Sequence, residues 1–208
     1  MGVIAVASVT MILSFALGSI PSAYIAARIA GKGDIRTLGS GNSGATNAYR
    51  SLGMRWAVPV FAFDFIKGAS PVLVSLLAAP IGGIGAQRLA AFTGCAAVFG
   101  HIFSPWIGFR GGKGAATGAG ACTALMPTVA PICLAVFLVV LRLSRRMSVA
   151  SLSAAAALPV AVFALARLGG ELPDVTVVYM AAIVPAAVFL AHAKNIARLF
   201  RGTEPRLF

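Results

Sequence analysis

Apolar residues in this chain come in long unbroken runs, and polar residues collect in the short segments between them. The runs extend from Val3 to Ala27, Ala57 to Ala79, Leu89 to Ile107, Ala115 to Leu141, Val149 to Leu168 and Val175 to Ala193. A helix needs roughly 20 apolar residues to cross a hydrocarbon layer about 30 Å thick, and most of these runs meet or approach that length. The fourth run is longer and carries Pro127 and Pro131 near its middle, where proline breaks a helix. It reads as one kinked pass or two short ones.

Charge decides between these. Fourteen of the seventeen basic residues fall in four segments: Arg28 to Arg55, Arg110 with Lys113, Arg142 to Arg146, and Lys194 to Arg206. With two passes in the fourth run, all four segments share one side, and Arg88, Arg167, Glu171 and Asp174 occupy the other. With one pass, the fourteen split seven and seven. Cytoplasmic loops carry the excess of Lys and Arg, so the first arrangement is predicted. The expected fold is an all-α, polytopic integral membrane protein with seven transmembrane segments, the fourth and fifth short. Its N-terminus lies outside, its C-terminus is cytoplasmic, and residues 1–208 form a single domain.

Composition agrees with this. The chain is 59% hydrophobic and 11% charged, against about 25% charged in ordinary soluble domains. A net charge of +12 raises the possibility of nucleic acid. However, the basic residues flank apolar runs instead of interleaving with aromatics, so no nucleic-acid partner is expected. Cys95, Cys122 and Cys133 lie inside apolar runs without metal-ligand spacing and read as packing residues. The first basic residue, Arg28, follows the N-terminal run, so that run is expected to remain as a span and not to act as a cleaved signal.

Three polar segments carry candidate chemistry. The first contains GSGNSGATNAYR, with Ser40, Gly41, Asn42, Thr46 and Asn47 offering neutral hydrogen bonds and Arg50 offering bidentate phosphate contact. Gly39, Gly41 and Gly44 match a dinucleotide fingerprint, and Asp64 lies twenty residues beyond the last of them. The preceding element is a membrane span and not a strand, so that match fails. The second segment, GHIFSPWIGFRGGKGAAT, places Arg110, Gly111, Gly112, Lys113 and Gly114 directly before an apolar helix. Backbone N–H groups and a helix N-terminus there suit an anion. It is not a nucleotide-type P-loop, because Gly114 replaces the Ser/Thr. The third, HAKNIARLFRGTE, sets His192, Asn195 and Arg198 at three-residue intervals, on one face of a helix continuing the last span. Asp64 and Lys67 form an i, i+3 pair within the second run and read as a structural ion pair positioning a nearby loop. His101 reads as a brace for the second segment.

Together these three segments closely resemble the signature motifs of the bacterial acyl-phosphate:glycerol-3-phosphate acyltransferase family, the PlsY type, and the resemblance covers essentially the whole chain. It implies a cytoplasm-facing enzyme of the bacterial inner membrane that needs no metal or other cofactor. Such an enzyme moves a fatty acyl group from acyl phosphate to the sn-1 hydroxyl of glycerol 3-phosphate. It implies catalytic roles for Ser40, Arg50, His192 and Asn195, a glycerol-phosphate loop at Gly111 to Gly114, and a structural role for Glu204. Partners would be acyl phosphate, glycerol 3-phosphate, membrane lipid and, functionally, an enzyme that makes acyl phosphate. Arg110 stands where many relatives have lysine, which preserves the charge. A secondary transporter for an organic phosphate is the alternative, but a carrier needs a midplane site reachable from both sides. A membrane scaffold leaves the phosphate-type loops unexplained.

Overall fold

The computed structural model describes residues 3–78, 85–170 and 173–208, and every regular element among them is helical. Ten α-helices follow in order: α1 (Val3–Gly18), α2 (Ser22–Ile29), α3 (Ala45–Leu52), α4 (Met54–Leu77), α5 (Ala86–Ile102), α6 (Ala115–Leu125), α7 (Ala130–Ser144), α8 (Met147–Leu168), α9 (Val175–Ala191) and α10 (Ala193–Phe200). Two single 3₁₀ turns, Ile35–Thr37 and Pro105–Ile107, sit in the polar segments. Ala79 and Glu171, assigned above to a run and to a loop, lie outside the described residues.

The apolar runs become helices, with one expected break and two differences of detail. The first run is not one helix: α1 stops at Gly18 and α2 begins at Ser22, because Pro21 cannot donate to a continuing ladder. The backbone freed there is satisfied by side chains from elsewhere. Lys67 Nζ donates to the Ile20 carbonyl at 2.8 Å, and Ser104 Oγ donates to the Ser19 carbonyl at 2.6 Å. Trp106 Nε1 donates to Ser19 Oγ at 2.8 Å. Irregular backbone at membrane depth needs such cover. The fourth run divides at residues 126–129 into α6 and α7, as its prolines predict. In the last run, α9 ends at Ala191 and α10 departs at 61°. His192 is therefore the joint between two helices and not part of one continuous face.

Glycine governs how the helices meet. A Cβ on Gly18 of α1 would strike the Ala97 carbonyl of α5, and one on Gly100 of α5 would strike the Phe15 carbonyl of α1. Gly68 of α4 and Gly120 of α6 stand in the same reciprocal relation, against Thr117 and Phe65. Small residues let backbones approach where lipid supplies no hydrophobic drive between helices. The core fills the space between α4, α5, α6, α8 and α9 with Val72, Val98, Ala121, Leu158, Met180 and Val184. Large apolar side chains cover the outside, with Leu77 83% and Leu168 85% exposed. Among the described residues, four helical stretches are long and apolar enough to cross a membrane, and a fifth is if α9 and α10 count together. This is the surface of a multi-pass membrane protein.

The four basic segments meet at one end of the bundle. Arg36 Nη1 donates to the Ile107 carbonyl at 2.6 Å, joining the first segment to the second. Arg50 Nη2 donates to the Pro205 carbonyl at 3.4 Å, and Arg146 Nε donates to that of Glu204 at 3.2 Å. The Leu207 N–H donates to the Arg145 carbonyl at 2.7 Å. The chain thus leaves this end at Ala115 and is back at it by Arg145.

Candidate active site

A cavity of about 900 Å³ opens at this polar end, and all three motif segments line it. The first contributes Ser40, Gly41 and Asn42, the second Arg110, Gly111, Gly112 and Lys113, and the third Lys194, Asn195 and Arg198. Arg36 adds a further cation, and Asp34 is the one carboxylate in the wall among the described residues. Ile102, Phe103, Phe109 and Leu190 form an apolar side.

The first segment is a hook closed from within. Asn47 is fully buried, and its amide donates to the Ile35 and Leu38 carbonyls at 3.0 Å each. Its Oδ1 accepts the Ser40 N–H at 2.9 Å. Gly39 has φ +55, and a Cβ there would collide with Asn47 Oδ1, so only glycine closes this turn. The expectation that Asn47 binds substrate is corrected, since its polar atoms are already engaged in shaping the loop. Asp34 accepts the Arg36 N–H at 2.9 Å and pairs with the Arg36 guanidinium at 2.7 Å, aiming that arginine at the second segment. Thr46 and Arg50, on α3, stand outside the lining. The Arg50 guanidinium is nonetheless close enough to help lower the Lys113 pKa.

The second segment is held on the end of α5. The Gly111 N–H donates to the Ile102 carbonyl at 3.0 Å, and that of Gly112 donates to the His101 carbonyl at 3.1 Å. A Cβ on either glycine would run into His101, into its carbonyl or its ring. These two N–H groups therefore do not face an anion, contrary to the expectation from the glycine pattern. The donors that find no protein acceptor among the described residues come next: the N–H groups of Lys113, Gly114, Ala115, Ala116 and Thr117, at the uncapped start of α6. Gly114 takes φ +78 to make that turn. The half-buried Lys113 ammonium has no hydrogen bond or ion pair among the described residues. Burial pulls its pKa down to about 8, with Glu204 opposing the shift and Arg198 and Arg50 adding to it.

His101 is braced from below. Asp64 Oδ1 accepts from Ser22 Oγ at 2.6 Å and Lys67 Nζ at 2.7 Å, with His101 Nδ1 3.6 Å away. The Asp64–Lys67 pair found in the sequence thus sits under both the α1–α2 break and the second segment.

The third segment is organised by Glu204. Its Oε1 accepts from Asn195 Nδ2 and Ser148 Oγ, each at 2.6 Å, and its Oε2 accepts from Arg198 Nε at 2.7 Å. Burial pushes the Glu204 pKa up, but the hydrogen bonds from Ser148, Arg198 and Asn195 outweigh it and hold the group below its usual value. His192 is 3% exposed and is not part of the cavity lining. Its Nδ1 lies 2.8 Å from the Val188 carbonyl, so neutral His192 carries its proton on Nδ1 and keeps the Nε2 lone pair free.

The sequence profile of the family described as glycerol-3-phosphate acyltransferase matches residues 8–202. The chain is 41% identical over 199 residues to the glycerol-3-phosphate acyltransferase of Prochlorococcus marinus (strain NATL2A), covering 95% of this chain and 96% of that protein. It is 38% identical over 196 residues to the enzyme of that name from Aquifex aeolicus (strain VF5), covering 94% and 96%. The chain belongs to the glycerol-3-phosphate acyltransferase family. Its fold matches the crystal structure of PlsY (YgiH), an integral membrane glycerol 3-phosphate acyltransferase, in its glycerol 3-phosphate form. The TM-score is 0.83 and the identity 36%, with 96% of this chain and 94% of the other covered. The lysophosphatidic acid form of the same protein matches with a TM-score of 0.81.

In this acyltransferase-family chain, sequence reasoning passed over Arg36, Asp34 and Ser148 as site residues. No motif spacing marks them. Arg36 enters through a backbone turn that Asp34 makes, and Ser148 through a helix far along the chain. The three-residue spacing already places Arg198 with Asn195, and Lys194 could have been found, since it adjoins Asn195 in the same segment.

Proposed function

We propose that this chain transfers a fatty acyl group from acyl phosphate to the sn-1 hydroxyl of glycerol 3-phosphate, giving 1-acyl-glycerol 3-phosphate and inorganic phosphate. The convergence of all three polar segments on one cavity, cationic on one side and apolar on another, carries the reading. Both substrates are phosphate anions, and one also has a long alkyl chain to accommodate. Lys113, Arg110, Arg198 and the free N–H groups at the start of α6 neutralise phosphate charge. The hydroxyl oxygen attacks the acyl carbonyl carbon, the bond from that carbon to the phosphate oxygen breaks, and the departing phosphate takes the hydroxyl proton. With so good a leaving group, positioning and charge neutralisation supply most of the catalysis. The buried His192, tied to Val188, suits a positioning role better than that of a general base.

The same reading takes residues 1–208 as one domain with seven segments and the cavity facing the cytoplasm of the bacterial inner membrane. The meeting of four basic segments at one end supports it. Purified protein supplied with acyl phosphate and glycerol 3-phosphate should release phosphate and form the lysolipid without a thioester donor; strict thioester dependence refutes the donor. In a variant lacking native cysteines, Ser144→Cys should resist impermeant reagents in intact cells. Labelling from outside refutes the topology.

A further inference from the structure

Beside the cavity of the candidate active site lies a smaller one of about 460 Å³, lined by Arg36, Trp106, Ile107, Gly108 and Arg110. The two arginines belong to both walls, whereas Trp106 lines the smaller cavity alone. Gly108 and Phe109 take φ +66 and +60 in succession, and this left-handed pair folds the chain back so that Trp106 and Arg110 border one space. The Trp106 indole is 68% exposed, although its N–H is pinned to Ser19 Oγ at the α1–α2 break. Tryptophan at the polar end of a bundle marks the depth at which lipid headgroups lie. Helix α1, which holds the indole, turns Ile12 and Leu13 outward.

The charge at this depth is selective. Asp34 pairs with Arg36 at 2.7 Å, and Arg36 donates from Nε and Nη2 to that carboxylate and from Nη1 to the Ile107 carbonyl. One N–H on each terminal nitrogen stays free among the described residues. Arg110 is exposed and has no hydrogen bond or ion pair among them, so it supplies the net positive charge. A phosphodiester is a monoanion whose free oxygens accept hydrogen bonds, which complements this set. The monoester of the proposed acceptor carries a charge closer to about −2. Arg28 and Arg36, both over the Tyr24 ring, disfavour a headgroup that brings its own cation.

We infer that this cavity holds the phosphodiester of a net-anionic bilayer phospholipid, with Arg36 and Arg110 on the phosphate, Trp106 beside the glycerol and the fatty chains along α1. Such a lipid borders the larger cavity without entering it.

Fluorescence tests this. The chain has two tryptophans, so Trp56→Phe leaves Trp106 as the reporter. In phosphatidylcholine vesicles, a small fraction of brominated phosphatidylglycerol should quench Trp106 about fivefold more effectively than the same fraction of brominated phosphatidylcholine. Arg110→Gln, at an exposed and unpaired position, should remove that preference. Lys32→Gln, which takes the same charge from the same basic end, should keep it. Equal quenching by the two lipids overturns the inference, as do equal losses in the two variants, which would reflect only general attraction to the basic surface. Inorganic phosphate at millimolar concentration should leave the preference intact; its loss assigns the site to free anions and overturns the lipid. Saturating glycerol 3-phosphate should also leave it intact, and its loss places the lipid in the larger cavity and overturns the inference. If Trp56→Phe does not fold, native mass spectrometry makes the comparison without it. Wild type should retain several-fold more phosphatidylglycerol than Arg110→Gln, and equal retention overturns the inference.

Discussion

Asp64 and Glu204 are both almost wholly buried carboxylates, each surrounded by three polar partners, yet they stand in opposite relation to the cavity. Asp64 sits between helices with Lys67, and both side chains are 1% exposed. Its other neighbours, Ser22 and His101, lead to backbone that must be held still. Glu204 lies at the polar end, and its charged partner Arg198 keeps 33% of its side chain open and lines the cavity. One carboxylate closes a circuit inside the bundle. The other reaches through Asn195 and Arg198 to whatever occupies the cavity. The same chemical group is therefore sealed inside the bundle in one place and, on the proposed function, serves recognition in the other, according to whether its cation is sealed in.

The contrast is open to direct attack. Asp64→Ala leaves Lys67 as an uncompensated buried charge, and breaking such a pair costs about 3–5 kcal/mol. Thermal unfolding in detergent should show this as the largest stability loss. Adding Lys67→Met should recover most of it, and a double variant as unstable as the single removes the argument. Glu204→Ala should instead cut kcat/KM about a hundredfold or more with a smaller drop in unfolding temperature, because part of its circuit is already wet. Equal destabilisation of the two variants would erase the distinction.

Smaller effects sharpen it. Gly112→Ala drives a methyl into the His101 ring, so the loop must shift off α5. KM for a phosphate substrate should rise about tenfold or more, with a loss of stability smaller than that of Asp64→Ala, and steady-state kinetics with thermal unfolding checks this. The mildest effect concerns pH. Lys113, with its pKa near 8, is charged below that value and loses its charge above it. Phosphate binding should weaken as pH rises through about 8. Lys113→Arg, which stays charged, should flatten that limb while retaining part of the activity. A limb unchanged in the arginine variant assigns it to another group.

Much of this was legible in the sequence, for identifiable reasons. Run length and the prolines at 127 and 131 marked the helices and the break between α6 and α7, because an apolar solvent leaves few other solutions. Charge placement anticipated that the basic segments would meet. What stayed hidden is the direction of particular groups. Nothing in the spacing says that Asn47 turns inward, that the Gly111 and Gly112 N–H groups hold α5, or that His192 is a joint. Those outcomes depend on which carbonyl is left unpaired nearby, and that is a property of the packed chain. Pro21 did signal the break after α1, but the run around it was apolar enough to read through.

Helix α7 has 15 residues and no fully buried side chain. At 1.5 Å per residue it rises about 22 Å, against a hydrocarbon layer of about 30 Å. On the proposed topology, lipid beside this helix must thin or the protein must tilt, at a modest cost for each ångström of mismatch. Activity in vesicles of graded acyl-chain length should therefore peak in the thinner bilayers. On the proposed function, the fatty chains joined to glycerol phosphate at the polar end go on to set the thickness of the sheet that presses on its flank, so membrane depth becomes a quantity this protein both helps to make and feels.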